Sequence, residues 1–307
     1  MQCFSLILRL ASWLVLLISV VTTAGCDRPS GLDGRFFVAA SSQVGHLLLV
    51  PAAGRKPVEV ELPGVGAISS VAVFNGQLVL GCASRGPSIQ RQDPAQGLWA
   101  LSLDSQQVRR YGEAEIKGSV RMCAVLGSEL WIFEGERLWS TKDLQVFQLQ
   151  HENVSAVIAA GVDSLLVQRK DNGLFWLRRS DGATQEVDTK ISLGKSAIYT
   201  MFGEYTFVED GRVLHLVPPV ELGVSNAGSG LLHPQRDPDV GFSANFDPRF
   251  KTWITMRRSL SSVTEIRVND DVGQSLQVRG HRIYSVAEIT RQEWDLLLAS
   301  TSSWQAK

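Results

Sequence analysis

The stretch Ser119–Gln150, SVRMCAVLGSELWIFEGERLWSTKDLQVFQLQ, decides the fold. It holds four short runs: Val120–Leu126, Glu129–Phe133, Arg137–Ser140 and Gln145–Leu149. Short glycine or polar segments separate them. Brief runs rich in Val, Leu, Ile, Phe and Trp, bounded by turn residues, predict β-strands. The unit therefore reads as strand, turn, strand, tight turn, strand, polar turn, strand.

The same unit recurs on both sides. Ile68–Tyr111 carries SVAVFNG, QLVLGCAS, a loop, GLWALSL and VRRY. Ser155–Val187 carries AVIAAGV, SLLVQR, GLFWLRR and TQEV, and Ala197–Val220 carries AIYTMFG, YTFVED and RVLHLV. Third strands begin near His46, Gly97, Arg137, Gly173, Arg212 and Glu265, at spacings of 36 to 53 residues. Asn75-Gly76, Asn172-Gly173, Asp181-Gly182 and Asp210-Gly211 are hairpin-type turn pairs, in which glycine takes the positive φ such turns need. No long amphipathic helical pattern follows Gly34.

A four-stranded unit recurring about every 40–45 residues is the signature of a β-propeller. The expected fold is all-β: a single propeller of six or seven four-stranded blades over residues 34–307. A pair of stacked sandwiches is the rival, and the recurrence of one unit selects against it. Phe36–Pro63 (FFVAAS, HLLLVPA, PVEVEL) reads as the last three strands of a blade. Arg282–Ser300 (IYSVAEI, WDLLLAS) reads as the first two strands of one. N- and C-terminal strands in one blade would close the ring and leave no long exposed edge. The seven tryptophans beyond residue 26 fall mostly at equivalent strand positions and are expected between blades.

Phe242–Asn269, FSANFDPRFKTWITMRRSLSSVTEIRVN, resembles the repeat of TolB-type propellers, a WD40-like unit. Phe246-Asp247-Pro248 and Lys251 match the turn, Trp253–Met256 the strand, Arg257–Arg258 the Ser-x-Arg position, and Ile266–Val268 the closing Ile-Tyr-Val. The glycine that follows the aspartate in that family is missing. The resemblance spans about one blade and implies the fold.

The address lies upstream. Leu10–Val21 is an uncharged, mainly apolar run of twelve after Arg9, too short to span a bilayer comfortably. Residues 1–25 read as a signal peptide. Thr23-Ala24-Gly25-Cys26 resembles the lipobox of bacterial lipoproteins, although Thr23 stands where that family prefers Leu. The resemblance implies cleavage before Cys26 and a diacylglyceryl and acyl anchor on it, which gives stable attachment where one chain does not. An ordinary signal peptide releasing a soluble protein is the alternative. Asp27 resembles the inner-membrane retention signal of enteric lipoproteins; the cell surface is the other destination considered. Residues 26–33 read as a lipidated tether.

Composition narrows the role. The chain has 307 residues, a formal net charge of −1, 44% hydrophobic and 20% charged residues. It is too apolar for a disordered chain and lacks the basic excess of a nucleic-acid binder. Four cysteines are too few for a disulfide scaffold. Cys82 and Cys123 stand in apolar strands and are expected as buried thiols, with a disulfide as the alternative. HExxH, CxxC, GxSxG and P-loop motifs are absent, so no catalytic residue, metal or cofactor is assigned. His46 and His215 sit in strand patterns, and the Arg109-Arg110, Arg178-Arg179 and Arg257-Arg258 pairs split across strand faces.

Two segments interrupt the period, Ser84–Gln96 and Asn226–Gly241. The second gathers His233, Arg236, Asp237 and Asp239, with Asp247 behind. These are the candidate ligand residues: carboxylates for Ca²⁺, arginine for an anion. A solvated loop whose aspartates cap turns is the structural alternative. The expected function is a membrane-anchored envelope lipoprotein facing the periplasm, whose monomeric propeller binds an envelope protein. A periplasmic propeller enzyme acting on glycans or lactones is the alternative.

Overall fold

The computed structural model describes residues 32, 34–41, 43–51, 56–83, 95–160, 164–169, 174–178, 184–186, 198–202, 205–209, 213–217, 221–225, 241–258, 263–269 and 275–304. The strands run in sets of four. β1 (Phe36–Ser41), β2 (His46–Pro51) and β3 (Val58–Glu61) are followed by β4 (Ala67–Phe74), β5 (Gln77–Ala83), β6 (Gly97–Ser102) and β7 (Val108–Tyr111). Next come β8 (Val120–Leu126), β9 (Glu129–Glu134), β10 (Arg137–Thr141) and β11 (Gln148–His151), which match the four runs of the deciding stretch except that the fourth begins three residues later than Gln145. β12 (Val154–Ala160), β13 (Ser164–Arg169), β14 (Leu174–Arg178) and β15 (Thr184–Glu186) precede β16 (Ile198–Phe202), β17 (Tyr205–Glu209), β18 (Val213–Val217) and β19 (Glu221–Ser225). β20 (Gly241–Asp247), β21 (Thr252–Arg258), β22 (Val263–Val268) and β23 (Ser275–Arg279) lead to β24 (Ile283–Ile289) and one helix, α1 (Arg291–Trp304).

Each set is an antiparallel meander in chain order. A single parallel bridge, Ala160↔Asn245, links the β12–β15 meander to the β20–β23 meander. β24 joins the edge of β1 opposite β2 in antiparallel register, with Val38 opposite Ala287 and Ala39 opposite Val286. The sheet order β24-β1-β2-β3 therefore unites the two ends of the described body, as the sequence led one to expect.

Burial explains why the strands read as continuous apolar runs. In β1, Val38 and Ala40 pack with Leu78, Leu80 and Cys82 of β5, while Phe37 and Ala39 pack with Ile254, Met256 and Ile266. In β4, Val71 and Val73 face β1 and β2, whereas Ala72 and Phe74 face Val120, Cys123 and Ile132. Ala124, Leu126 and Phe133 then meet Leu165, Val167 and Leu177 of the next meander. A sheet covered on both faces has no polar side, so alternation vanishes. Each fully buried Leu or Val contributes roughly 1.5–3 kcal/mol. The fourth strands lie at the rim, and β11 is largely exposed. This face-to-face stacking of four-stranded sheets is propeller-like.

The turns follow local chemistry. Asn75 and Gly76, with φ of 48° and 71°, join Phe74 to Gln77 in a two-residue loop. The other three predicted turn pairs lie outside the described residues.

WDLLLAS, expected as a strand, is helical instead. Thr290 caps α1: its Oγ1 accepts from Glu293 N (3.2 Å), and Glu293 Oε2 accepts from Thr290 N (2.7 Å). This reciprocal pair is a capping box. Trp294 and Leu297 are buried, Leu298 packs behind them, and the Trp294 ring lies 5.0 Å from that of Phe36. A seven-residue run with five apolar residues fits either period; the cap decides.

Candidate functional site

Four first strands, β4, β8, β20 and β24, converge. Ser70 Oγ accepts from Cys123 N (2.8 Å), and Val71 N donates to Ser285 Oγ (3.2 Å). Between these strands lies a cavity of about 40 Å³, lined by residues such as Val71, Val73, Ala124, Val125 and Ala287. It has room for one or two waters. The carboxylate on its wall is Asp247.

Asp247 ends β20 and organises the turn behind it. Its Oδ1 accepts from Arg249 N (2.9 Å), and its Oδ2 accepts from the Arg249 guanidinium (3.1 Å). Arg249 also donates to Glu293 Oε1 (3.0 Å) and to the carbonyl oxygen of Glu288. Lys251 closes the turn with φ of 52°, a left-handed conformation that costs a non-glycine residue energy.

Next to it is a buried carboxylate. Glu288 in β24 is 3% exposed and accepts two bonds from one nitrogen of Arg35, at 2.8 and 2.9 Å. Thr252 Oγ1 donates to its Oε2 (3.2 Å). Burial raises the carboxyl above the usual glutamate value; Arg35 and the Thr252 hydroxyl oppose this, and the nearby Asp247 adds to it. The cluster Arg35, Asp247, Arg249, Thr252, Glu288 and Glu293 therefore joins the lead to β1, the closing strand, the β20–β21 turn and the helix. Sequence reading singled out only Asp247. The Thr290–Glu293 capping box was a local signal for Glu293; nothing local marks Arg35 or Glu288.

The structure places Asp247 in a turn, as cap and ion-pair partner. His233, Arg236, Asp237, Asp239 and Cys26 lie outside the described residues. Among the described residues, no three His, Cys, Asp or Glu side chains gather as a metal site, and no helix is long and apolar enough to cross a membrane. His46 sits 2.7 Å from the Val44 carbonyl oxygen, and His281 3.5 Å from Glu59. His151 is held below the usual histidine value by desolvation and by Arg169. Arg109 is exposed beside Gln107, while its neighbour Arg110 lies against Gly97. The side chains of His215 and of the other two arginine pairs fall outside the description.

Cys82 and Cys123 are buried and not joined in a disulfide. Cys82 packs with Leu78 and Leu80 on one face of the β4–β7 sheet, and Cys123 packs against the other face with Val79. Burial pushes the Cys123 thiol well above the usual range, and the proximity of Cys82 adds to this.

No family model and no curated protein matches the chain. Solved structures of similar shape exist. A 6-phosphogluconolactonase-like protein of Bacteroides fragilis is 8% identical with a TM-score of 0.44, the match covering 85% of this chain and 99% of that one. One from Bacteroides uniformis is 10% identical with a TM-score of 0.46, covering 84% and 100%. A catalytically inactive virginiamycin B lyase of Staphylococcus aureus, bound to quinupristin, is 7% identical with a TM-score of 0.49, covering 81% and 95%.

Proposed function

We propose that this chain is a bacterial envelope lipoprotein, anchored through lipid on Cys26, whose propeller of six blades is a binding module for an envelope protein. The sets of four strands, with β24 completing β1–β3, support six blades. One observation carries the binding role. Where β4, β8, β20 and β24 converge, the cavity among the described residues is mainly apolar and about 40 Å³, whereas small-molecule sites span roughly 300–1,000 Å³. Its carboxylate, Asp247, is already engaged by Arg249. A rigid scaffold with so small a cavity among its described residues leaves recognition to its surface.

The test is intact mass and detergent partitioning of the protein made in a bacterium, beside Cys26→Ser, followed by crosslinking in the envelope. A lipid-sized mass increment lost in the variant, with a discrete crosslinked partner, is expected. A water-soluble, unmodified product overturns the anchor.

A periplasmic enzyme acting on glycans or lactones is the alternative. The neighbouring carboxyls of Asp247 and Glu288, the second held protonated to higher pH than usual, favour it, since such shifts gather at catalytic sites. Hydrolysis of a lactone or glycan panel that falls roughly 100-fold or more in Asp247→Asn, as loss of an acid–base group does, would displace the binding module.

A further inference from the structure

We infer that one defined face of the propeller is held against the lipid bilayer: the face carrying the turns after its first and third strands. The inference rests on the anchored reading above and adds an orientation to it.

The chain is pinned where it enters the body. Leu32 is fully buried in the cluster that holds Phe37 and Leu48, its carbonyl oxygen accepts from Arg35 N at 2.9 Å, and Arg35 is clamped by Glu288. Six residues of backbone link Cys26 to Leu32, so the reach is at most about 20 Å at roughly 3.3–3.6 Å per residue. Phe36 is opposite both Ile289 and Pro51. The entry point therefore lies at the sheet end where β24 finishes, β2 finishes and α1 begins.

The other sheets present equivalent turns at the same end. Arg249, in the β20–β21 turn, reaches Glu288 and Glu293. Asn75, in the β4–β5 turn, donates to the carbonyl of Lys142 in the β10–β11 turn (3.0 Å). Lys142 in turn pairs with Glu129, which opens β9 beside Ser128 (3.5 Å). First strands here run to eight residues, so the opposite ends lie roughly 25 Å away at about 3.4 Å per residue. A tether of about 20 Å cannot bring those ends to the membrane.

The exposed charges of the tether face are mixed. Among the described residues, Lys56, Lys142, Lys251 and Arg291 stand beside Asp104, Asp143 and Asp295. Contact is thus imposed by the anchor, and anionic lipid adds little.

The experiment uses the purified lipidated full-length protein, carrying a donor dye on one introduced cysteine, in phosphatidylcholine vesicles with a headgroup acceptor. Asp104→Cys and Ser128→Cys report the tether face; Glu113→Cys and Glu152→Cys report the opposite ends. Energy transfer about twofold or more higher from the first pair is expected across strands of this length. A flexible insert of about twenty residues after Asp27 should erase the difference, since it restores rotation. Equal transfer from both pairs in a protein that floats with the vesicles overturns the orientation alone. Failure to float, with Cys26→Ser behaving identically, overturns the anchor and the orientation with it.

Discussion

Glu134 and Glu288 are both buried carboxylates at sheet ends, 2% and 3% exposed, yet they are held in opposite ways. Glu134 takes its partners from its own meander and the segment just before it. Gly118 N donates to it at 2.7 Å, Arg137 pairs with it at 3.2 Å, and Trp139 Nε1 donates at 3.4 Å. Those partners lie 16, 3 and 5 residues away. Glu288 takes its strongest partner, Arg35, from 253 residues away. The same chemistry thus serves a local turn in one place and ring closure in the other. A local carboxylate can be satisfied as soon as its meander forms, whereas the closing one waits for the whole fold.

The difference can be broken at the closing end first. Arg35→Ala leaves Glu288 buried without its guanidinium, an expected loss of roughly 2–3 kcal/mol in urea unfolding, given that Arg35 is itself partly exposed. The loss depends on pH. Glu288 titrates higher in the fold than in the unfolded chain, because burial outweighs Arg35. Such a group favours the fold most below its unfolded value, and that advantage disappears as pH rises through the folded value. Without Arg35 burial acts with less opposition, so the deficit should be smaller near about pH 5 than near about pH 7.5. An equal deficit at both would show that Glu288 does not sense its partner.

Gly118→Ala probes the local end. A Cβ there would sit 2.3 Å from Glu134 Oε1, so the carboxylate must move. The expected loss is about 1–3 kcal/mol, as for other overpacked sites. Hydrogen exchange should quicken in β8–β10 and stay unchanged in β1 and β24. Spread of the effect to β24 would erase the distinction between local and closing contacts.

The smallest effect is expected at Asp143, in the exposed β10–β11 turn. The backbone N–H groups of Val146 and Gln145 hold its carboxyl below the usual aspartate value. Its contribution is present above the unfolded value and lost as pH falls through the folded one. Asp143→Ala should therefore lower Tm slightly at neutral pH and not at all in strong acid. A difference that persists in acid would point to a cause other than the carboxylate.

The strands were legible because each buried sheet is apolar on both faces, so runs such as FFVAAS and QLVLGCA stand out against turn residues. Closure was legible because Phe36–Pro63 holds three strands where the unit has four. The helix was misread because WDLLLAS suits two periods, and its cap, Thr290–Glu293, lies outside the run. The cluster around Glu288 was hidden for a different reason. Its members are brought together by closure, and sequence patterns report neighbours along the chain. Asp247 was named both as a turn residue and as a candidate ligand, and its bonds to Arg249 are those of the turn.

Pairing of β1 with β24 has a consequence for biogenesis. At roughly 5–20 residues per second, the separation between Arg35 and Glu288 corresponds to a synthesis delay on the order of tens of seconds. Throughout that interval β1 presents an unpaired edge, apolar but for Ser41, of the kind that recruits other chains. On the proposed envelope location, that edge would need a holdase chaperone until IYSVAEI arrives.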